Sequence, residues 1–444
     1  MGAMPSIPTE IPTTQGQRML RVTLLALLWL LSLIAVFWTL NLKDPHLLPF
    51  RALESWVLLA CCLLLAALHL LQRGKPARLL GVGTLLGCML LVALAEYRLQ
   101  AQKALVQEAR IDAAQQLGAH LLIGYRQFEE LRPLVSQGLI GGVFVTRRNL
   151  RGRDLAALQA EIRELQTLRQ RAGLPPLLIA ADQEGGMVAH LSPPLQKRPA
   201  LASLDAADDS TLEQLAQDYG RDQGAELAAL GVNLNFSPVV DLRQTHANNR
   251  LDFHSRISQR AISDDPQRTL LVARGYVRGL ASQGVHATLK HFPGFAGVVG
   301  DTHHFSAHLG TPLATLRARD WLPFREVAGQ SQALMMLGHV VLDELDAEQL
   351  VSTSQKLVQG VIRGEWQHQG VLITDDLSMA AAYNRGLCTV GVDALNAGVD
   401  LLLVSYDHEK IYPLLDCLDR ARADGRLDLQ RLQQSRARLD RLAR

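Results

Sequence analysis

The stretch VLITDDLSM, residues 371–379, sets three apolar residues and a threonine directly against two aspartates. A short run that is apolar at consecutive positions reads as a strand covered on both faces, because a half-exposed strand would alternate. The acidic pair then falls where the strand stops and a loop begins. The same form recurs at HLLIG (120–124), GGVFV (141–145), LLIAA (177–181), LNFSPVV (234–240), HATLK (286–290), LMMLG (334–338) and LLLVS (401–405). With VLIT (371–374) that makes eight runs, and between most of them lie amphipathic stretches such as 155–172 and 211–230. Strand–helix alternation predicts a parallel sheet, and eight repeats predict a closed (β/α)8 barrel of the TIM type. An open doubly wound sheet would more often carry a glycine-rich first turn. No GxGxxG follows the first run.

Polar residues recur where these runs end. LLIAA meets Asp182-Gln183-Glu184-Gly185-Gly186, LNFSPVV meets Asp241, and HATL meets Lys290-His291. LMMLG meets His339, VLIT meets Asp375-Asp376, and LLLVS meets Tyr406-Asp407. In a parallel barrel these ends form one face, and that face carries the chemistry. Any buried strand must end in something polar, but an acid pair, a Lys-His pair and an Asp-Gln-Glu turn exceed that need.

Ahead of the barrel pattern the composition changes. Residues 22–42 contain no charge and are long enough to cross a bilayer, and 55–71 and 79–95 are uncharged runs near the lower length limit. We expect a membrane region over residues 1–95 with these three spans, a polar connector helix over 96–116, and a catalytic barrel over 117–444. Arg18 and Arg21 precede the first span, and Arg73, Lys75 and Arg78 crowd the loop between the second and third. The bias of basic residues toward the cytoplasm then places the barrel on the periplasmic side of an inner membrane. A formal charge of +2 gives no strong pull toward nucleic acid. Cys61, Cys62 and Cys88 lie in the apolar runs, and Cys388 and Cys417 match no metal-ligand spacing, so neither a disulfide framework nor a zinc site is expected.

KHFPGFAGVVGDTHHF (290–305) gathers a lysine, three histidines and an aspartate among glycines. His291, Asp301, His303 and His304 could ligate a metal, but their spacing matches no usual zinc pattern and Lys290 would oppose a cation. A phosphate cradle would want GxxxxGK[ST], which is absent. Asp301 lies two residues before His303, so its carboxylate could orient the imidazole and favour its charged form. His303 would then be a usable proton donor near neutral pH. We expect no metal and no cofactor.

KHFPG followed by DTH resembles glycoside hydrolase family 3, in its single-domain β-N-acetylhexosaminidase branch. GGVFVTRRN, IAADQEGG, SRISQRAIS, LGHV, ITDDLSM and ALNAGVDLLL extend the resemblance across the soluble part. The resemblance implies a retaining hydrolase of amino-sugar glycosides, such as peptidoglycan fragments. It also implies Asp375 as nucleophile, His303 as acid/base with Asp301 as its partner, and Asp182, Lys290, His291 and Arg260 as sugar-binding residues. Two departures bear on sugar preference: Met187 and His190 stand where the family usually has arginines, and Phe295 replaces a histidine. A glycosidase or phosphorylase of other preference, and a non-catalytic sugar-binding membrane protein, remain alternatives.

Overall fold

The computed structural model describes residues 15–44, 53–72, 74–108, 111–243, 256–298 and 307–443. It divides into two compact units, Met1–Ala101 and Gln102–Arg444.

The second unit is a closed parallel barrel. Its strands, in chain order, are β1 (Leu121–Gly124), β2 (Gly142–Val145), β3 (Leu178–Ala181), β4 (Leu234–Asn235), β5 (His286–Phe292), β6 (Leu334–Leu337), β7 (Leu372–Asp376) and β8 (Leu401–Val404). Each is hydrogen-bonded to its neighbours in sequence, and β1 closes on β8. All eight coincide with the apolar runs. Their continuous apolar character follows from double burial. On β2, Phe144 faces the barrel interior while Val143 and Val145 face the helix layer. On β8, Leu401 and Leu403 face in, and Leu402 and Val404 face out.

Strand β4 is shorter than the run 234–240 suggests. Pro238 has no N–H to give the ladder, so regular pairing stops before it. Pairing resumes only as an isolated bridge between Val239 and Lys290.

The alternation that fills the interior also aims the site. Counting by two from Ile373 on β7 reaches Asp375, from Ala180 on β3 reaches Asp182, and from Leu403 on β8 reaches Ser405. All three line one cavity at the C-terminal mouth, with Phe144, Phe236, Met336 and Leu403 as its apolar floor. Phe144 and Phe236 stack there with centroids 5.3 Å apart.

Cys388 and Cys417 form a disulfide, which corrects the expectation of none. It joins helix Leu387–Ala397, which follows β7, to helix Ile411–Ala423, which follows β8. The two cysteines are 29 positions apart and meet because consecutive barrel helices pack side by side, which spacing alone does not reveal.

The first unit contains helices Gln15–Leu40 and Glu54–Leu70, and Lys75–Glu108 begins within it. Two stretches, Gln15–Leu40 and Lys75–Val106, are long and apolar enough to cross a membrane, with mean hydropathy 2.4 and 2.1. The helix between them is shorter, at 17 residues. Leu28, Leu58, Cys62, Leu85 and Val92 pack together, while Leu33, Phe37, Leu63, Leu64, Leu86 and Leu90 are exposed.

Candidate active site

The mouth of the barrel holds a cavity of about 440 Å³, and Asp182, Lys290, His291, Arg260 and Asp375 all line it. Asp301, His303 and His304 lie outside the described residues.

Lys290 is buried, and its Nζ donates to Asp182 Oδ1 at 2.6 Å and lies 2.7 Å from Glu184 Oε1. Arg260 reaches the same glutamate through two parallel bonds, Nε to Oε2 at 2.9 Å and Nη2 to Oε1 at 2.6 Å. Burial alone would make Glu184 hard to ionise, but Arg260 and Lys290 outweigh it and hold its carboxyl well below the usual carboxylate range. Burial works against the Lys290 ammonium too, and Asp182 with Glu184 reverses that and raises it. The wall is therefore ionised and rigid, with two cations set against two carboxylates.

Glu184 was not among the candidates read from the sequence. It enters through a small hairpin, Gln183–Gly185 paired with Val188–Ala189. Gly185 has φ +95°, and a Cβ there would sit 2.2 Å from the Tyr219 hydroxyl, so the turn that delivers Glu184 needs glycine.

A second pair fixes His291. Asp241 Oδ2 accepts from the His291 backbone N–H at 3.0 Å and lies 2.8 Å from its Nδ1, while Oδ1 accepts from the Phe295 N–H at 2.8 Å. The Phe295 ring stacks on His291 with centroids 5.1 Å apart, so this phenylalanine shields the imidazole face.

Asp375 and Asp376 divide the work of the β7 tip. Asp376 is buried and saturated: its Oδ2 accepts from Ser405 N at 2.7 Å, Tyr406 N at 2.9 Å and the Ser405 hydroxyl, and its Oδ1 accepts from Ser378 N at 2.7 Å. It ties β7 to the end of β8. Asp375 is half-buried, with Oδ1 accepting from the Asp376 N–H at 2.8 Å, and it lines the cavity. The β7 register shifts against β8 between Ile373 and Asp376, and the β5 register shifts against β6 between Leu289 and Phe292. Both irregularities fall at site residues, where an extra residue re-aims side chains at a barrel rim.

His190 also lines the cavity, its ring 6.1 Å from that of Phe144. Burial pulls its pKa below the ordinary value against the pull of Asp182, so it is neutral at pH 7. His339, just past the end of β6, lies fully buried with Nδ1 2.9 Å from Ser352 Oγ. Among the described residues, no group of three or more His, Cys, Asp or Glu is placed to hold a metal ion.

Residues 106–442 match the family described as glycosyl hydrolase family 3 N terminal domain. The chain belongs to glycosyl hydrolase family 3. A beta-hexosaminidase of Pseudomonas aeruginosa is 34% identical over 305 residues, covering 68% of this chain and 86% of that protein. One of Stenotrophomonas maltophilia is 34% identical over 296 residues, covering 64% and 83%. Among solved structures, a family 3 beta-N-acetylglucosaminidase from a Paenibacillus species superposes with a TM-score of 0.66 at 32% identity, covering 74% of this chain and 61% of that one. Among the described residues, this family 3 barrel carries the acidic, basic and imidazole groups of the mouth on seven of its eight strand ends and the loops behind them.

Proposed function

We propose that this family 3 chain is a membrane-anchored, retaining β-N-acetylhexosaminidase acting on amino-sugar glycosides such as peptidoglycan fragments. The observation that carries the reading is that Asp375 opens into the same cavity as the Asp182–Lys290–Glu184–Arg260 wall. Such a wall suits a hydroxyl-rich sugar. Lys290 donates, Asp182 accepts, and neither can turn away, because Glu184 and Arg260 hold the pair. Asp375, at the tip of β7 and lining the cavity, acts as nucleophile.

In the first step an Asp375 oxygen bonds to the anomeric carbon as the glycosidic C–O bond breaks. His303, oriented by Asp301, gives its proton to the departing oxygen. In the second step water attacks the same carbon, its proton passes to His303, and the ester to Asp375 breaks, so configuration is retained. His303 belongs to the segment between Val298 and Ala307, which follows directly on the cavity-lining Phe295. His291, backed by Asp241 and Phe295, contacts the sugar beside Lys290.

For the anchor, residues 1–95 form the membrane region, 96–116 the connector and 117–444 the barrel. The apolar stretches and their exposed leucines and phenylalanines support lipid contact. The Cys388–Cys417 disulfide supports a barrel outside the reducing cytoplasm, on the periplasmic side of an inner membrane.

The test is hydrolysis of a chromogenic N-acetyl-β-glucosaminide by the full chain and by Asp375→Ala. Release by the wild type that the substitution abolishes supports the reading. Release only from glycosides lacking the acetamido group would move the specificity elsewhere, and release from none would point to a binding protein. A C-terminal reporter that functions only outside the cytoplasm tests the orientation.

A further inference from the structure

Arg126 follows β1, and Arg147, Arg148 and Arg151 follow β2, and all four line the cavity that holds Asp375. The mechanism above uses none of them. They occupy the outer rim: Arg147, Arg148 and Arg151 are exposed, whereas Lys290 and Glu184 lie deep.

The described ion pairs include none to Arg147, Arg148 or Arg151, although Arg153 in the same loop pairs with Glu161. Among the described residues, Arg147 donates only to the Ala189 carbonyl, at 3.3 Å. The two loops are held in fixed relation. Asn149 is buried, accepts from the Thr146 N–H at 2.8 Å and donates to the Tyr125 carbonyl at 3.0 Å. Burial, then the charges of Arg126 and Arg151, push Arg148 below the ordinary arginine value, which marks the guanidinium groups as close enough to repel. Repelling cations held together by the backbone, with Arg147, Arg148 and Arg151 in no ion pair among the described residues, are arranged for an anion that comes from outside.

Depth says which part of a ligand meets them. The sugar that reacts sits against the buried wall, so the rim meets what is attached on its leaving side or what enters to accept it. We propose that Arg148 and Arg151, with Arg126 and Arg147 beside them, form a subsite for an anionic group, a carboxylate or phosphate, at the leaving-group side of the catalytic sugar. The inference rests on the hydrolase reading for its orientation.

The test measures binding of two thioglycosides that resist hydrolysis, phenyl and 4-carboxyphenyl 1-thio-N-acetyl-β-glucosaminide, to the full chain in detergent at low salt. The carboxylated probe binds about tenfold tighter or better, a difference expected of one charge-assisted pair. The ratio collapses toward one in Arg148→Ala/Arg151→Ala and survives in Arg148→Lys/Arg151→Lys. A parallel arm supplies inorganic phosphate with a chromogenic glycoside. If free phosphate is the occupant, its oxygen attacks the anomeric carbon, the Asp375 ester breaks, and a sugar 1-phosphate accumulates that the alanine variant does not make. Equal binding of both probes with no sugar 1-phosphate overturns the subsite, as does a preference that persists in the alanine variant. A wild type that hydrolyses no glycoside yet prefers the carboxylated probe, with the preference lost in the alanine variant, would instead count against the hydrolase reading alone.

Discussion

Glu184 meets three nitrogens with two oxygens: Lys290 Nζ at 2.7 Å and Arg260 at 2.6 and 2.9 Å. Glu184→Gln keeps the shape and removes the charge that both buried cations face. Breaking a buried pair in this way costs about 3–5 kcal/mol, so the variant should unfold at clearly lower urea than the wild type, and an unchanged midpoint would refute the clamp. Asp182, Lys290 and Arg260 were legible in the sequence because each follows a strand or sits in a family block. Glu184 was legible only as part of a polar strand-end turn, since its own role depends on partners from distant elements. The rim arginines escaped for the same reason: Arg126 and Arg151 look like ordinary loop residues until β1 and β2 are seen side by side.

At the scale of elements, the apolar runs gave away all eight strands because double burial leaves no other composition for them. Deviations came from groups whose effect is local or non-local in ways that apolarity does not record. Pro238 ends β4 early, the irregular registers of β5 and β7 sit at Lys290–His291 and Thr374–Asp375, and the disulfide joins two helices. The disulfide gives the prediction at this scale. Closing a loop of 29 residues should stabilise the barrel by about 2–4 kcal/mol, mainly by restricting the unfolded chain. Cys388→Ser/Cys417→Ser should lower the thermal midpoint accordingly while leaving wild-type turnover at 25 °C. The native chain should yield no reactive thiol at either position under denaturation without reductant; labelling of both would contradict the bond.

For the whole molecule, pH is the revealing variable. His120, His190, His286, His339 and His368 are all pulled below the ordinary histidine value, in each case chiefly by burial, and His368 to about 4. The unfolded chain takes up protons at these sites from about pH 6.5 downward, before the folded barrel does. Stability should therefore be full above that value and fall as pH drops toward 4, which calorimetry at fixed ionic strength can follow. Glutamine at His368 should flatten part of the slope, and a midpoint constant from pH 7 to 4.5 would refute it.

The central claim is that Asp375 forms a covalent bond to the sugar, and trapping tests it most directly. The full chain is incubated with a 5-fluoro N-acetylglucosaminyl fluoride, digested, and read by mass spectrometry. The account predicts one fluorinated amino-sugar adduct on the peptide carrying VLITDDLSM, localised to Asp375 and absent after Asp375→Ala. Turnover with no adduct, or an adduct on another carboxylate such as Asp182, would contradict it.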